Sequence, residues 1–327
     1  MDYKRLVLVA IVLGECTVGT FWGYRLWNVL RERKNVLGAQ IVTRINKDAL
    51  IFPKDGYLSY YFEPRPYSEE VVQPDWLGYT VKYKYNADGI RDDKEYSIDK
   101  PHNIFRIITL GDSFTFGMYV NAEDTYPSKL AGLLNAGTCG ETKFEVMNFG
   151  VGAYDIEYAV EHFRRRGQKY QPDLVLWLVN EHNVLQLRDL LTPLEKQIRE
   201  NTSDEEKRKL YAENKYYFAT GKAQELLESE YGDGYIFARQ NDELDKFSKL
   251  YKGPLALYMF SWSSAKTRDF MKAYTLRRPD TYFDGTLLDI GEMNGALPDG
   301  HPSARGHTII ANTMYQYLLK QKLVPCP

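Results

Sequence analysis

Two short stretches of the 327-residue chain carry residue types that suit a serine nucleophile and its base. Ser113 ends a Gly-Asp-Ser turn, and Asp299 and His301 stand two residues apart in the string PDGHPSARGH (298–307). A serine hydroxyl becomes a nucleophile when an imidazole accepts its proton, and a carboxylate orients that imidazole and stabilises its charged form. The pattern predicts acyl chemistry with Ser113 as nucleophile, His301 as base and Asp299 as the orienting acid.

His182 is a second candidate base. It follows Asn180 by two residues, directly after the apolar run LVLWLV (174–179), so it could also reach Ser113. We favour His301 because it has an acid beside it in the sequence, and a base without an orienting acid loses the correct tautomer. His182 is therefore expected to act mainly in substrate binding.

The elements that must position these residues are short apolar runs of the kind that form buried parallel strands. Such runs occur at 105–110, 144–148, 174–179 and 255–260, with a further one near 281–290. They stop after about six residues at glycine, asparagine or turn sequences, which favours strands over helices. Helical spacing of apolar residues follows the first two and the loop at 298–307. Because open parallel sheets bind ligands at the carboxyl ends of their strands, the candidate residues are expected to meet at that edge.

These stretches resemble, in order, the signature blocks of the SGNH (GDSL-like) hydrolase family. The matching strings are GDSFTFG (111–117), FGVGAY (149–154), NEHN (180–183) and DGH (299–301). The first and last are specific, and the middle two are degenerate. The resemblance covers roughly residues 105–319 and implies a three-layer, flavodoxin-like α/β sandwich with a central parallel sheet.

The resemblance also implies an oxyanion hole. Its donors would be the backbone N–H of Ser113, an N–H from the Gly152–Ala153 turn and the side-chain amide of Asn180. The family's glycine in the second block falls on Ala153 in ungapped register, with Gly152 one position earlier, and alanine offers the same N–H if its dihedral angles allow. The residues around Asn180 differ from the family's usual glycine and aspartate.

The N-terminus has the composition of a membrane anchor. Residues 6–24 contain a single charge, Glu15, and follow Lys4-Arg5, so the stretch is long enough to cross a bilayer. Its Leu, Ile, Val and Phe residues contribute roughly −3 to −5 kcal/mol to insertion against roughly +3 kcal/mol for a central acid. We predict an uncleaved single anchor, in which Glu15 indicates contact with a membrane protein partner. Basic residues flank both ends and leave the orientation open.

We divide the chain into a membrane anchor with a basic flank (1–34), a β-rich lead-in (35–100) and a catalytic domain (101–327) with a helical insertion at 184–252. The insertion is either a lid or acceptor-binding element or a surface decoration. Aromatic residues in the lead-in could stack on sugar rings, although packing against the main domain is the better interpretation; they are Tyr57, Tyr60, Tyr61, Tyr67, Trp76 and Tyr79.

Composition excludes some functions. A net charge of −2 gives no electrostatic case for nucleic acid, and no Cys/His spacing typical of a metal site occurs. No metal or diffusible cofactor is implied. Of the three cysteines, Cys139 and Cys326 could pair only in an oxidising compartment, and two unrelated thiols fit equally well.

The predicted function is a membrane-anchored serine esterase or O-acyltransferase that acts on ester-linked acyl groups, acetyl above all, of cell-envelope carbohydrate. Anchored SGNH domains resemble proteins that modify envelope polysaccharides, which favours an extracytoplasmic site, with the cytoplasmic side left open. Hydrolysis and transfer share the same machinery. The alternative is a non-catalytic subunit of a membrane complex that retains the SGNH fold.

Overall fold

A computed structural model describes residues 49–137, 140–213, 215, 217–287 and 290–326. The predicted anchor at residues 6–24 and its Glu15 lie outside this part of the chain, as does Cys139. Among the described helices, none combines the length and apolar character needed to cross a bilayer. Cys326 is disulfide-bonded.

The strands of the described residues divide into two small antiparallel pairs and one parallel sheet. In chain order they are β1 (Leu50–Ile51), β2 (Glu63–Pro64), β3 (Glu69–Val72), β4 (Val81–Lys84), β5 (Ile104–Leu110), β6 (Lys143–Asn148), β7 (Leu174–Leu178), β8 (Leu255–Phe260) and β9 (Thr281–Leu287).

The helices of the described residues mostly alternate with the strands of the parallel sheet. In chain order they are α1 (Ser113–Phe116), α2 (Tyr126–Ala136), α3 (Ile156–His162), α4 (Glu181–Leu185), α5 (Arg188–Asn201), α6 (Asp204–Ala212), α7 (Phe218–Leu250), α8 (Ala265–Arg277) and α9 (Ala304–Lys320).

The central sheet has the order β6-β5-β7-β8-β9, and every neighbouring pair is parallel. This is the doubly wound order in which the chain direction across the sheet reverses between its first and third strands, here β5 and β7. Ligands of such sheets bind in the crevice outside the carboxyl ends at that reversal. The predicted α/β fold with a central parallel sheet is confirmed.

The sheet is covered on both faces, which explains why its strands read as continuous apolar runs. Ile108 points to the face covered by α3, α7 and α8, where it shares a buried cluster with Phe247. Its neighbour Ile107 points to the opposite face and packs with Leu130 of α2 and Met314 of α9. Successive residues of a strand thus enter two separate cores.

The lead-in from residue 49 to residue 100 packs against the sheet domain through aromatic side chains. Tyr61 is buried against Tyr154 and Tyr158, and Trp76 contacts the ring of Tyr119 edge-on. Other lead-in aromatics remain exposed, namely Tyr57, Tyr60, Tyr67 and Tyr79. Packing is therefore the role of the buried members.

Helices α5, α6 and α7 occupy most of the segment predicted as a helical insertion. Ser203 caps α6 by accepting a hydrogen bond from the backbone N–H of Glu206 at 3.2 Å, as its sequence predicts. The long helix α7 is interrupted at Gly232, whose φ of +69° is not helical. Apolar residues of α5 and α7, including Leu191 and Leu227, form a separate small core.

Candidate active site

Ser113 stands at the first position of α1, directly after β5. The turn needs glycine at position 111, where φ is +150° and an added Cβ would lie 2.2 Å from Thr115 Oγ1 and 2.8 Å from the Leu178 carbonyl oxygen. Asp112 caps α1 by accepting a hydrogen bond from the backbone N–H of Phe114 at 2.9 Å. The hydroxyl of Ser113 is thus held on a tight strand-to-helix corner.

Arg91 of the lead-in fixes the far end of this corner. Its guanidinium is buried, lies 4.4 Å from the ring centroids of Tyr83 and Phe116, and donates to the carbonyl oxygen of Gly117 at 2.6 Å. It also donates to the carbonyl of Phe116, the last residue of α1. Burial lowers the pKa of Arg91 to about 10, which still leaves it charged at neutral pH. The lead-in therefore takes part in holding the nucleophile's helix.

The DGH loop before α9 brings Asp299 and His301 to Ser113. His301 Nε2 lies 2.9 Å from Ser113 Oγ, and His301 Nδ1 lies 2.7 Å from Asp299 Oδ2. The loop closes on itself by a hydrogen bond of 2.7 Å from the backbone N–H of Leu297 to the carbonyl of His301, with Gly300 at φ +92°. The three side chains form a continuous relay from carboxylate through imidazole to hydroxyl.

Aromatic rings enclose the imidazole on two sides. The ring centroids of Phe114 and Tyr119 lie 5.4 Å and 5.5 Å from that of His301. The side chains of His301 and Asp299 are 11% and 14% exposed. Burial and, as the smaller cause, the charge of Asp299 raise the pKa of Tyr217, the residue before α7.

The turn after β6 presents backbone amides next to the nucleophile's helix. An added Cβ on Gly150 would lie 2.3 Å from the backbone nitrogen of Phe116, so only glycine allows this approach. Ala153 has φ +65°, the left-handed conformation that glycine adopts readily. It thus retains the backbone shape that the family resemblance assigns to a glycine. Within the described residues, the backbone N–H groups of Ser113, Gly152 and Ala153 donate to no protein acceptor.

Asn180 follows β7 and is fully buried. Its Nδ2 lies 2.9 Å and 3.2 Å from the two carboxylate oxygens of Asp112, and its Oδ1 has no hydrogen-bond partner in the described structure. One amide hydrogen therefore serves Asp112, and a contact of the other with an oxyanion stays a prediction.

Sequence reasoning missed the importance of Asp112. Its carboxylate is fully buried and accepts hydrogen bonds from the side chains of Asn180, His182 and Asn183 as well as from the N–H of Phe114. Burial alone would raise its pKa, but the electrostatic interaction with His182 and the hydrogen bonds from His182, Asn180 and Phe114 outweigh burial and lower the pKa below its usual 3.8. A charged residue at the buried end of an apolar strand was the available signal.

The two candidate bases thus occupy different positions. His301 contacts Ser113, whereas His182 Nε2 contacts Asp112 Oδ2 and no hydrogen bond links it to Ser113. Among the residues that the structure describes, no group of three or more His, Cys, Asp and Glu side chains could hold a metal ion.

Comparisons with known proteins find similarity to solved structures alone. No family model and no curated protein matches the chain. Among solved structures, a catalytic mutant of the acetylxylan esterase Axe2 from Geobacillus stearothermophilus is 13% identical, with 68% of this chain and 96% of that chain covered and a TM-score of 0.42. The family 3 carbohydrate esterase of Clostridium thermocellum is 15% identical, with 67% and 96% covered and a TM-score of 0.39.

The structure of TesA is 10% identical, with 67% of this chain and 99% of that chain covered and a TM-score of 0.39. Similarities of this size do not bear on activity.

Proposed function

We propose that this protein is a serine esterase or O-acyltransferase of the SGNH type. The observation that carries the proposal is the relay in which Asp299 Oδ2 lies 2.7 Å from His301 Nδ1 and His301 Nε2 lies 2.9 Å from Ser113 Oγ. Both distances fall within the hydrogen-bond reach that a nucleophile and its general base require. The relay stands at the carboxyl edge of the sheet, beside the point where the strand order reverses.

The first step forms an acyl-enzyme. Ser113 Oγ attacks the ester carbonyl while its proton passes to His301 Nε2, and Asp299 stabilises the resulting imidazolium. The carbonyl oxygen becomes an oxyanion that the free backbone N–H groups of Ser113 and the Gly152–Ala153 turn can meet, each such donor being worth about 3 kcal/mol. Collapse of this intermediate breaks the bond to the alcohol oxygen, which leaves with the proton from His301.

The second step releases the acyl group. A water or a sugar hydroxyl gives its proton to His301 and attacks the acyl carbonyl, and the proton returns to Ser113 Oγ as the acyl-serine bond breaks. Water yields hydrolysis, and a sugar hydroxyl yields transfer. The same side chains serve both outcomes.

We assign the substrate to acylated, above all acetylated, carbohydrate. Support comes from Trp262, which directly follows β8 at the same edge of the sheet and is 45% exposed. Its indole stacks on Phe260 at 5.2 Å between centroids, and Phe260 packs on Phe114, the neighbour of His301. An exposed indole near the nucleophile offers a flat apolar face to a sugar ring.

We further propose that the protein is anchored by residues 6–24, contacts a membrane protein through Glu15, and works outside the cytoplasm. The disulfide of Cys326 supports an oxidising compartment, because disulfides persist there and are rare in the cytosol. Glu15→Leu is expected to weaken co-purification with a membrane partner in mild detergent. A monomer that is unaffected by the substitution would refute the partner, and a cleaved N-terminus found by mass spectrometry would refute the anchor.

The decisive experiment is hydrolysis of p-nitrophenyl acetate by the full-length protein in mild detergent. We expect turnover, labelling of Ser113 by a fluorophosphonate, and loss of both in Ser113→Ala with an unchanged circular dichroism spectrum. Ser263→Ala, which alters a serine after β8, is the matched control and should keep both. Labelling at Ser263 would contradict the assignment of Ser113 as the nucleophile. A folded protein without turnover would favour the non-catalytic subunit.

A further inference from the structure

His182 is held beside the nucleophile by a buried carboxylate that has no other free capacity. Asp112 directly precedes Ser113, and its two oxygens already receive the amides of Asn180 and Asn183 and the N–H of Phe114. His182 Nε2 completes this set. Since a carboxylate accepts only a limited number of hydrogen bonds, the position of each donor is closely fixed.

The backbone that carries His182 is also fixed. His182 belongs to α4, the short helix directly after β7, and the side chain of Gln240 in α7 donates to three carbonyls of this stretch. One of these bonds, to the carbonyl of Gln186, is 2.8 Å long, and Gln240 is fully buried. The position of the imidazole is therefore fixed both through the backbone around His182 and through its Nε2.

The other edge of the imidazole is available. The His182 side chain is 41% exposed although the carboxylate that it contacts is 0% exposed, so the ring runs from the interior to the surface. An ionised Asp112 can only accept, so Nε2 carries a proton and, in the neutral ring, Nδ1 presents a lone pair. In the described residues, Nδ1 of His182 has no protein partner.

We propose that Nδ1 of His182 accepts a hydrogen bond from a free hydroxyl on the carbohydrate part of the ester, and so selects sugars that are only partly acylated. This inference rests on the proposed function, since it concerns the same site. His182 is thus a specificity residue, and proton transfer to and from Ser113 remains with His301, whose Nε2 contacts the hydroxyl.

The test compares two esters that differ only in free hydroxyls. The first is a monoacetylated methyl glucoside, and the second is the same glucoside fully acetylated. For His182→Ala we expect KM for the monoacetylated ester to rise about 3- to 10-fold, the loss of one hydrogen bond, with kcat changed less than about twofold. KM for the fully acetylated ester should rise several-fold less.

Two further variants separate recognition of the sugar hydroxyl by His182 from the support that His182 gives to Asp112. The amide of His182→Gln can still donate to Asp112 through Nε2, but its acceptor Oε1 lies beside that donor and not at the position of Nδ1, so this variant should keep the KM defect on the monoacetylated ester. His102→Ala changes an exposed histidine just before β5, at the opposite edge of the sheet, and should match the wild type. Equal losses on both esters, restored by His182→Gln, would show that His182 only supports Asp112 and would overturn the proposal.

Binding measurements keep this test independent of turnover. In a Ser113→Ala background, adding His182→Ala should raise Kd for the monoacetylated glucoside about 3- to 10-fold and leave Kd for the fully acetylated one nearly unchanged. If the wild type hydrolyses neither ester, the proposed function fails, and these two Kd values alone decide the role of His182. Equal Kd values for the monoacetylated glucoside with and without the His182 side chain would overturn the proposed role of His182.

Discussion

Two histidine–carboxylate pairs lie at the same edge of the sheet, and their surroundings differ sharply. In the DGH loop, Asp299 accepts from His301 Nδ1 at 2.7 Å and from the backbone N–H of the same residue at 3.2 Å. In the sheet interior, Asp112 accepts from His182 and from three further donors. Asp299 is 14% exposed and Asp112 is 0% exposed.

The difference shows that an imidazole beside a carboxylate is not by itself a catalytic base. Among the described residues, only His301 donates hydrogen bonds to Asp299, and the second nitrogen of His301 contacts the hydroxyl of Ser113. Asp112 shares its charge among four donors, and the second nitrogen of His182, in a side chain that is 41% exposed, has no hydrogen-bond partner among the described residues. The atom at the far side of each imidazole is the reason that we propose proton transfer for His301 and recognition for His182.

The largest expected effect is the difference in activity between alanine variants of the two histidines. His301→Ala should lower kcat/KM at least about 10⁴-fold, nearly as much as Ser113→Ala, because both remove the proton transfer on which nucleophilic attack depends. His182→Ala should act mainly through KM. Turnover of p-nitrophenyl acetate, with thermal unfolding as the control for folding, measures both.

The reverse order would contradict the relay. If His182→Ala were inactive and His301→Ala close to wild type, the DGH loop would be structural and Ser113 would depend on a rearranged site in which His182 replaces His301.

The carboxylates give the second test, in which the two pairs should fail in different ways. Asp299→Asn should lower kcat about 10²- to 10⁴-fold with little change in unfolding, because an amide can orient the ring in the wrong tautomer and does not stabilise its charged form. Asp112→Asn should lower the free energy of unfolding by about 3 kcal/mol. The substitution replaces one acceptor oxygen by an NH2 group, which then faces the buried donors that the oxygen had served. Urea unfolding and turnover of each variant separate the two effects.

Similar losses of both stability and turnover in the two carboxylate variants would remove the distinction between the pairs. Ser203→Ala, which removes a cap of α6 far along the chain from both pairs, provides a reference for an ordinary loss of about 1 kcal/mol.

Much of the site could be predicted because its signals are local. The parallel strands appear in the sequence as apolar runs that end in turns. The string at 111–117 carries the proposed nucleophile, and the string at 299–301 carries the proposed acid and base two residues apart. The alternation of Ile107 and Ile108 between two cores follows directly from strand geometry.

The remaining features depend on contacts between distant parts of the chain. Nothing local to Asp112 indicates that Asn180 and Asn183 point at it, and nothing local to Arg91 indicates that it holds the end of α1. Helix α3 also continues past His162 as a π-helical turn, Phe163–Gly167, in which the ring of Phe163 packs on that of Phe247 in α7.

The third test concerns the Gly152–Ala153 turn, whose backbone N–H groups are the proposed oxyanion donors for the reaction that involves His301. Ala153→Gly should raise the free energy of unfolding by up to about 1 kcal/mol, because it relieves the left-handed φ of +65° that alanine adopts at a cost. Turnover should stay within about twofold, since the N–H is unchanged. Ala131→Gly in the middle of α2 is the opposite control and should cost about 1 kcal/mol.

A loss of stability in Ala153→Gly similar to that in Ala131→Gly would show that the turn carries no strain. A large loss of turnover with preserved stability would instead show that the methyl group of Ala153 contacts substrate.

His162 extends the comparison to a histidine with no carboxylate bonded to it. It is buried against Phe149 and Tyr154 at 5.3 Å and 5.5 Å between ring centroids, and neither of its nitrogens has a hydrogen-bond partner in the described structure. Burial lowers its pKa to about 4, against the opposing charge of Glu63. Because the ring is buried and has no hydrogen-bond partner, it stays neutral and serves only to pack against the neighbouring aromatic rings.

The last expected effect is the pH dependence that His162 imparts to stability. An unfolded histidine binds a proton below about pH 6.5, whereas folded His162 does so only near pH 4, so acidification across this window favours the unfolded state. His162→Phe should therefore gain about 2 kcal/mol over the wild type between pH 7 and pH 4.5. Buried Asp155 and Glu157, whose pKa values are raised by burial, act in the opposite direction in both proteins, which is why the difference between the two is the measure. Urea unfolding at both pH values supplies it. A difference that does not change with pH would show that folding leaves the pKa of His162 unshifted, and a difference that falls on acidification would show that His162 pairs with Glu63 as a third histidine–carboxylate pair.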